Sequence, residues 1–507
     1  MYRRAAVAAG ALAGAQFVVT LSTSIVNVAL PVVGAGLGLT GSGLSWVVNA
    51  YGLAFGALLL LGGRAADLFG AGRVLKFGLR LFAAASFAAG LAQGPETLVA
   101  ARALQGMAAA AVAPAALALL MELFPPGARR ARALGLWGAM TGAGGAAGVL
   151  AGGVLTETLG WPWVFHASGL AAAAVLIAVR TVPPPGPGAR AMRRRLDVGG
   201  ALAVTAGLVV LVHGLTVAGD RGWSDPQTLG RLAAAMVLIA VFALIERFHP
   251  APLLPRRIVS RGTLTANVLT ALLGAVWLGL FFFLPLYQQR VLGMGPFETG
   301  VLQLPLAAAN MLGAWLAPRL ARTLGPRAAL AAGLAVQTAG LVWLSRAPAD
   351  GGFLHDVLGP IVLIGLGLGI AFVQLTAAAM SGAPAGDTGL AGGLVNTSRQ
   401  IGGAMGLAVL GSLATAAATA ATTVHGQRAE AAALTEGYRT AFLAAAAIAA
   451  AATALVPLLP RLPHPPRLPR PQAPAVPAAS GPPRGGTTSR TTSQTARTVT
   501  TPQGESA

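Results

Sequence analysis

The 507-residue chain contains no cysteine and only 15 acidic residues, and arginine almost wholly replaces lysine. Without cysteine neither a disulfide framework nor a thiolate metal site is possible. The chain also lacks the phosphate loop G-x-x-x-x-G-K-[ST], so ATP does not drive it through its own sequence. The G-x-S-x-G elbow and the H-E-x-x-H helix are missing too, and no enzyme or cofactor site is expected. Charged residues amount to 10% and hydrophobic ones to 55%, with a mean hydropathy of +0.70, which excludes a soluble globular chain. A formal charge of +20 invites a nucleic-acid reading. Here the basic residues are spread over short interruptions and a tail, with no basic domain to hold a duplex. Anionic lipid headgroups are the expected partner instead.

What the chain does have is a series of long apolar runs. They are Ala5–Val33, Trp46–Leu61, Val74–Leu91, Leu98–Leu120, Ala133–Leu155, Val164–Ala178, Val198–Val217, Leu229–Leu244, Leu264–Leu286, Val301–Leu316, Ala328–Leu344, Val357–Ala379, Leu390–Ala421 and Ala441–Leu459. With its flanks each reaches the roughly 17–25 helical residues that cross a hydrocarbon core. None shows the period-two alternation of a barrel strand. The expected fold is an all-α polytopic membrane protein of about fourteen helices. The first run has no clear cleavage site after it and reads as a retained helix rather than a signal peptide.

Arginine marks every second gap. Arg64, Arg73, Lys76, then Arg129, Arg130, Arg132, then Arg190, Arg193, Arg194, Arg195, then Arg256, Arg257, Arg261, then Arg319, Arg322 and Arg327 fall on one side. By the positive-inside rule that side is cytoplasmic, and both termini lie there, in a cell-membrane, multi-pass arrangement. Residues 1–182 form a first six-helix bundle. Residues 183–261 hold two basic links and two additional central helices, and residues 262–460 form a second six-helix bundle. Residues 461–507 are rich in Pro, Ser, Thr and Arg and are expected to be a disordered cytoplasmic tail. Two bundles of the same hand joined by a cationic linker are the build of many secondary transporters.

Several positions carry possible chemistry. Gly63, Asp67, Gly70 and Arg73 place an acid, a turn glycine and a base in a short loop. Arg102 lies several residues inside the fourth helix, with Gln105 on the same face. A charge at that depth costs about 2.5 kcal/mol or more, so it must face the bundle interior or water. His213 in the seventh helix is a titrating candidate, although a hydrogen-bonded packing histidine is the plainer reading. Gly144, Gly148 and Gly152 repeat every four residues in the fifth helix and suit close helix approach. Asn49, Tyr51, Trp277, Gln288, Asn396, Arg399 and Gln400 are candidates to line a cavity for bulky amphiphiles. Any one of the amides is equally suited to join two helices.

Gly63–Arg73 resembles the G-x-x-x-D-x-x-G-x-x-R loop of the major facilitator superfamily. Leu21–Pro31, Trp46–Tyr51, Arg102–Gly106 and Gly386–Gly411 resemble the fourteen-helix drug:proton antiporter branch of that family. The resemblance covers roughly residues 5 to 459 and implies export of hydrophobic drugs or related metabolites by alternating access, against protons. It implies a gate at Asp67, coupling or translocation roles for Ser22, Asn27, Arg102 and Gln105, and helix packing by Gly148. Ser22 departs from the family, which normally has an Asp there, and serine does not titrate near neutral pH. Coupling has then moved, or the carrier is differently coupled or uncoupled, or the substrate is not cationic. A non-transporting membrane sensor is the reading from another class. Removing residues 465–507 is expected to leave flux intact at equal expression. A large loss of turnover in a transport assay would show that the tail is not passive.

Overall fold

The computed structural model describes residues 2–39, 41–124, 128–180, 197–249, 252–253, 260–381, 388–425 and 430–460. Most of both basic links and the whole of the expected tail lie outside them. Among the described residues there is no strand. The first half comprises α1 (Tyr2–Leu37), α2 (Gly41–Phe69), α3 (Ala71–Gly90), α4 (Pro95–Leu123), α5 (Ala128–Thr158) and α6 (Pro162–Val179). Next come α7 (Val198–Arg221) and α8 (Pro226–Phe248). The second half comprises α9 (Arg261–Arg290), α10 (Pro296–Leu302), α11 (Leu304–Leu324), α12 (Pro326–Leu344), α13 (Leu358–Ser381), α14 (Thr388–His425) and α15 (Glu430–Leu455). Among the described residues thirteen stretches are long and apolar enough to span a membrane, with α10 and α11 forming one of them. Helix α3 is not among them because its 20 residues include Arg73, Lys76 and Arg80, yet at about 30 Å it has the length of a fourteenth span.

Two local expectations need correction. The tenth span is not one continuous helix: it breaks at Gln303 between α10 and α11. Pro305 has no N–H to return to the preceding turn, which explains the interruption. Likewise Gly63–Arg73 is not a loop. Ala65, Ala66 and Leu68 favour helix, so α2 continues to Phe69 and α3 starts at Ala71. Only Gly70 intervenes, at φ 89°, a conformation glycine adopts without strain.

Helix termini are secured locally. Asp197 accepts from the Gly200 amide at the start of α7, and Asp225 accepts from Gln227 and Thr228 at the start of α8. In the first half α1 packs on α5 and α6, α2 on α4, and α3 on α4 and α6. In the second, α9 packs on α14 and α15, and α13 on α11 and α12. Helices α7 and α8 pair with each other, and α7 lies against both α2 and α14. There Leu208, Val212 and Leu215 join Leu53, Ala57, Ala404 and Ala408 in one apolar cluster. Most of α8 faces outward.

The distribution of core is uneven along the helices. At the end where α1 and α9 finish and α4 begins, here the far end, a single apolar core runs through both halves. It contains Ile25, Val33, Leu44, Leu98 and Phe165 from the first half with Phe282, Leu344, Ile361, Leu410 and Phe442 from the second. At the other, near end the core splits. Leu12, Phe55, Leu75 and Leu119 belong to a first-half cluster, while Leu269, Leu334, Leu375 and Val456 belong to a separate second-half one. Bonds across the far end tie the halves: Gln289 Nε2 donates to the Val28 carbonyl at 2.8 Å, and the Phe297 amide donates to Glu157 Oε2 at 2.9 Å. Helix α5 rests on α10 there, whereas Leu134 and Leu136 in its near-end half are exposed. The halves are thus joined at the far end and part at the near end along α5 and α11.

The α1–α5 contact depends on backbone approach. A Cβ added at Gly144 would fall 2.7 Å from the Phe17 carbonyl oxygen. At Gly148 it would meet Ser24 Cβ at 2.8 Å, and at Gly152 the Ile25 carbonyl oxygen at 2.6 Å. Gly138, on the same helix, has nothing within 4 Å. Gly148→Leu is therefore expected to cost about 1–3 kcal/mol and to lower the unfolding temperature in detergent by several degrees. Gly138→Ala is expected to leave it unchanged. Equal melting of the two variants would contradict the close-approach account.

Candidate functional site

Arg102 is the largest fully buried side chain, at 1% exposure. It lies on α4 two turns in from the far end and points towards α1 and α2. Nε donates to the Val47 carbonyl at 3.0 Å, and one terminal nitrogen to Gln105 Oε1 at 2.8 Å. The same nitrogen lies 3.5 Å from Ser22 Oγ, the long limit of a bond. The guanidinium carbon stands 4.4 Å over the Tyr51 ring, and the Tyr51 hydroxyl donates to the Val19 carbonyl at 3.3 Å. Gln105 Nε2 donates to Ser86 Oγ at 2.7 Å, and Ser86 donates to the Phe82 carbonyl. Helices α1, α2, α3 and α4 thus meet in one buried polar chain. Ser86 carries no signal of its own in the sequence, because only the packing of α3 on α4 brings it to Gln105.

The energetics are informative. A hydrogen bond to a charged group contributes about 1.5–3 kcal/mol, and a desolvated cation–π contact about 2 kcal/mol. Two short bonds and the Tyr51 ring therefore offset the insertion cost of about 2.5–3.5 kcal/mol for arginine at a helix centre. The guanidinium is solvated by the protein but not neutralised. None of the groups it meets is a carboxylate.

A second guanidinium occupies the other half. Arg399 on α14 donates to Asn396 Oδ1 at 2.6 Å and lies 5.5 Å from the Trp277 ring and 5.2 Å from that of Phe372. It is half-buried, and its Nε, itself buried, has no acceptor. The carbonyl of Arg399 lies where a Cβ on Gly274 would fall, so α9 and α14 approach closely here. Gln400, the next residue, turns the other way and lies against Gly56 on α2, at the seam between the halves.

The remaining candidates separate. Asn27 is buried on α1, and Asn49 on α2 is fully buried with neither side-chain polar atom bonded. Gln288 accepts from Gln303 Nε2 at 3.2 Å, and Tyr287 donates to the Pro348 carbonyl at 2.7 Å. His213 does not join the Arg102 chain: it sits on α7 with its ring 5.9 Å from Trp46. Asp67 and Arg73 are exposed on the last turn of α2 and the first turn of α3.

A cavity of about 440 Å³ opens at the far end between α2, α7, α9, α14 and α15. Phe282, Phe283 and Tyr438 form its aromatic wall, with Arg290 and the hydroxyls of Thr415 and Thr419 beside them. The lining includes no acid. The threonines recur at a four-residue spacing on α14, a face visible in the sequence but overshadowed by its alanines.

Comparison with known proteins agrees with this architecture. Residues 12–407 match the model of the Major Facilitator Superfamily. The chain is 40% identical over 416 residues to a puromycin resistance protein of Streptomyces alboniger, covering 81% of this chain and 82% of that one. It is 41% identical over 401 residues to a cephamycin export protein of Amycolatopsis lactamdurans, covering 78% and 82%. In fold it is similar to a bacterial homolog of the human lysosomal transporter Spinster, solved inward-facing and unoccupied. The TM-score is 0.68 at 16% identity, with 90% and 97% of the two chains covered. The chain is a multi-span membrane transporter that belongs to the Major Facilitator Superfamily.

Proposed function

We propose that this protein exports small hydrophobic or amphiphilic molecules of the drug or antibiotic class by alternating access, with protons as the coupling ion. The observation that carries the reading is the uneven core: one apolar core joins the halves at the far end, and two separate ones at the near end leave them parted along α5 and α11, while α2 still meets α14. A carrier caught open to one side has that form. The basic residues Arg64, Arg73, Arg130, Arg319, Arg322 and Arg327 sit at the near end, which supports assigning it, with both chain termini, to the cytoplasm. The names of the relatives, resistance and export proteins, support a drug-like cargo.

In this reading the Arg102 chain, tied to α1 and α2, senses which way the first half has tilted. The stripe Gly144, Gly148 and Gly152 lets α5 stay on α1 as it does so, and Asp67 and Arg73 at the α2–α3 junction gate the cytoplasmic side. A differently coupled or uncoupled carrier, or a non-transporting sensor, is the second reading. It is favoured by one feature: Ser22 stands beside Arg102, where no titrating acid is present.

The test is efflux of lipophilic dyes and antibiotics from energised vesicles, with and without collapse of the pH gradient. Gradient-dependent efflux is expected from the wild type. Arg102→Ala is expected to insert normally yet lose at least about tenfold in flux, roughly 1.4 kcal/mol or more on the rate-limiting barrier. Wild-type flux in that variant sinks the role given to Arg102. Efflux appearing only in Ser22→Asp would mean that this chain has lost its coupling group and that export belongs to its relatives.

A further inference from the structure

We propose that the cargo is an acidic amphiphile, whose carboxylate or comparable anionic group is received by Arg399 while its apolar body lies against Trp277 and Phe372. This inference rests on the transport reading above and adds a substrate class to it.

Three observations point there. First, Arg399 is a cation in the membrane-spanning part of α14 whose protein partners are an amide oxygen and two aromatic rings. Its buried Nε is left without an acceptor, and a planar guanidinium presents paired donors that match a carboxylate. Second, Arg102 gives the opposite half a buried positive charge that no carboxylate meets. Third, acids are kept out of the apolar middle of the described helices: Asp67, Glu122, Glu157 and Glu246 lie in last turns, Glu298 in a first turn, and Glu436 at the far-end part of α15. The far-end cavity repeats the pattern, with Arg290 in its lining and no acid.

The surface around Arg399 has positive charge that no carboxylate meets, in a medium of low dielectric constant. There a cationic solute is repelled, a neutral one gains nothing from the charge, and an anion supplies the missing counter-charge. The aromatic pair beside Arg399 is suited to the apolar part of the same molecule. Phe372 is partly exposed and Arg399 half-buried, so the edge of this surface is open while Nε lies just inside it.

The experiment compares three matched fluorescent probes: pyrenebutanoate, its methyl ester and the corresponding pyrenyl alkylammonium. Binding to the purified full chain in zwitterionic nanodiscs is read by anisotropy, with empty nanodiscs subtracted for partition into lipid. Flux of the same probes is read in vesicles. The carboxylate is expected to bind at least about tenfold more tightly than the ester. That preference is expected to vanish in Arg399→Gln and to persist in part in Arg399→Lys, with all proteins melting alike. Ester or ammonium binding as tight as the carboxylate, no binding of any probe, or a preference unchanged in Arg399→Gln overturns the proposal. Selective carboxylate binding without flux would uphold the ligand class and overturn the export reading. Flux of ester or ammonium but not carboxylate would do the reverse.

Discussion

In hydrocarbon a peptide group has no water to turn to, so every N–H and C=O must find its partner within its own segment. That requirement makes the described chain helical from α1 to α15. It leaves helix association to close packing and to a few buried polar groups, because lipid tails are as apolar as leucine. The architecture follows. Glycines in α5 let it press on the backbone of α1, and Gly56 and Gly274 let α14 approach α2 and α9. Where a bulky polar group has to be inside, as with Arg102, the neighbouring helices supply a carbonyl, an amide, a hydroxyl and a ring.

The same economy of polar groups separates two kinds of buried polarity. The chain from Arg102 through Gln105 and Ser86 to the Phe82 carbonyl satisfies donor after donor, and with Arg102's contacts to Val47 and Ser22 it links four helices. Asn49, Gln337 and the Gln288–Gln303 pair retain unbonded polar atoms. Unsatisfied polar atoms in an apolar bundle are costly in a single resting state. In a protein that changes conformation the cost falls on one state and is relieved in another, which is a property a carrier needs and a rigid scaffold does not.

Much of the fold is legible in the sequence because membrane thickness is a fixed length and apolar run length reports on it directly. The fourteen spans and the all-helical class follow from that alone. Finer features are not legible for identifiable reasons. The α2–α3 junction reads as a loop because Gly63, Asp67 and Gly70 look like turn residues, yet a single glycine suffices to reverse the chain. The break at Gln303 hides within a run that is apolar on both sides of Pro305. Of the candidate site, Arg102 and Gln105 are recognisable by depth and spacing, but Ser86 and the Val47 carbonyl are not, since only tertiary packing brings α2 and α3 to them. His213 shows the limit most clearly: a histidine in a span is conspicuous in sequence, and its ring neighbour Trp46 is at the seam rather than in the Arg102 chain.

The two helices beyond the paired six-helix halves attach to one side only. Helix α7 lies across the line where α2 meets α14, with Gly219 tight against Ser412, while the α5–α11 side has no such cover. For the alternating access proposed above, such a strap makes the α2–α14 edge the place where the halves stay together. For the export proposed above, α7 covers the α2–α14 seam from the bilayer, and lateral entry of a lipid-dissolved solute falls to the side away from α7 and α8. The protein has a front and a back.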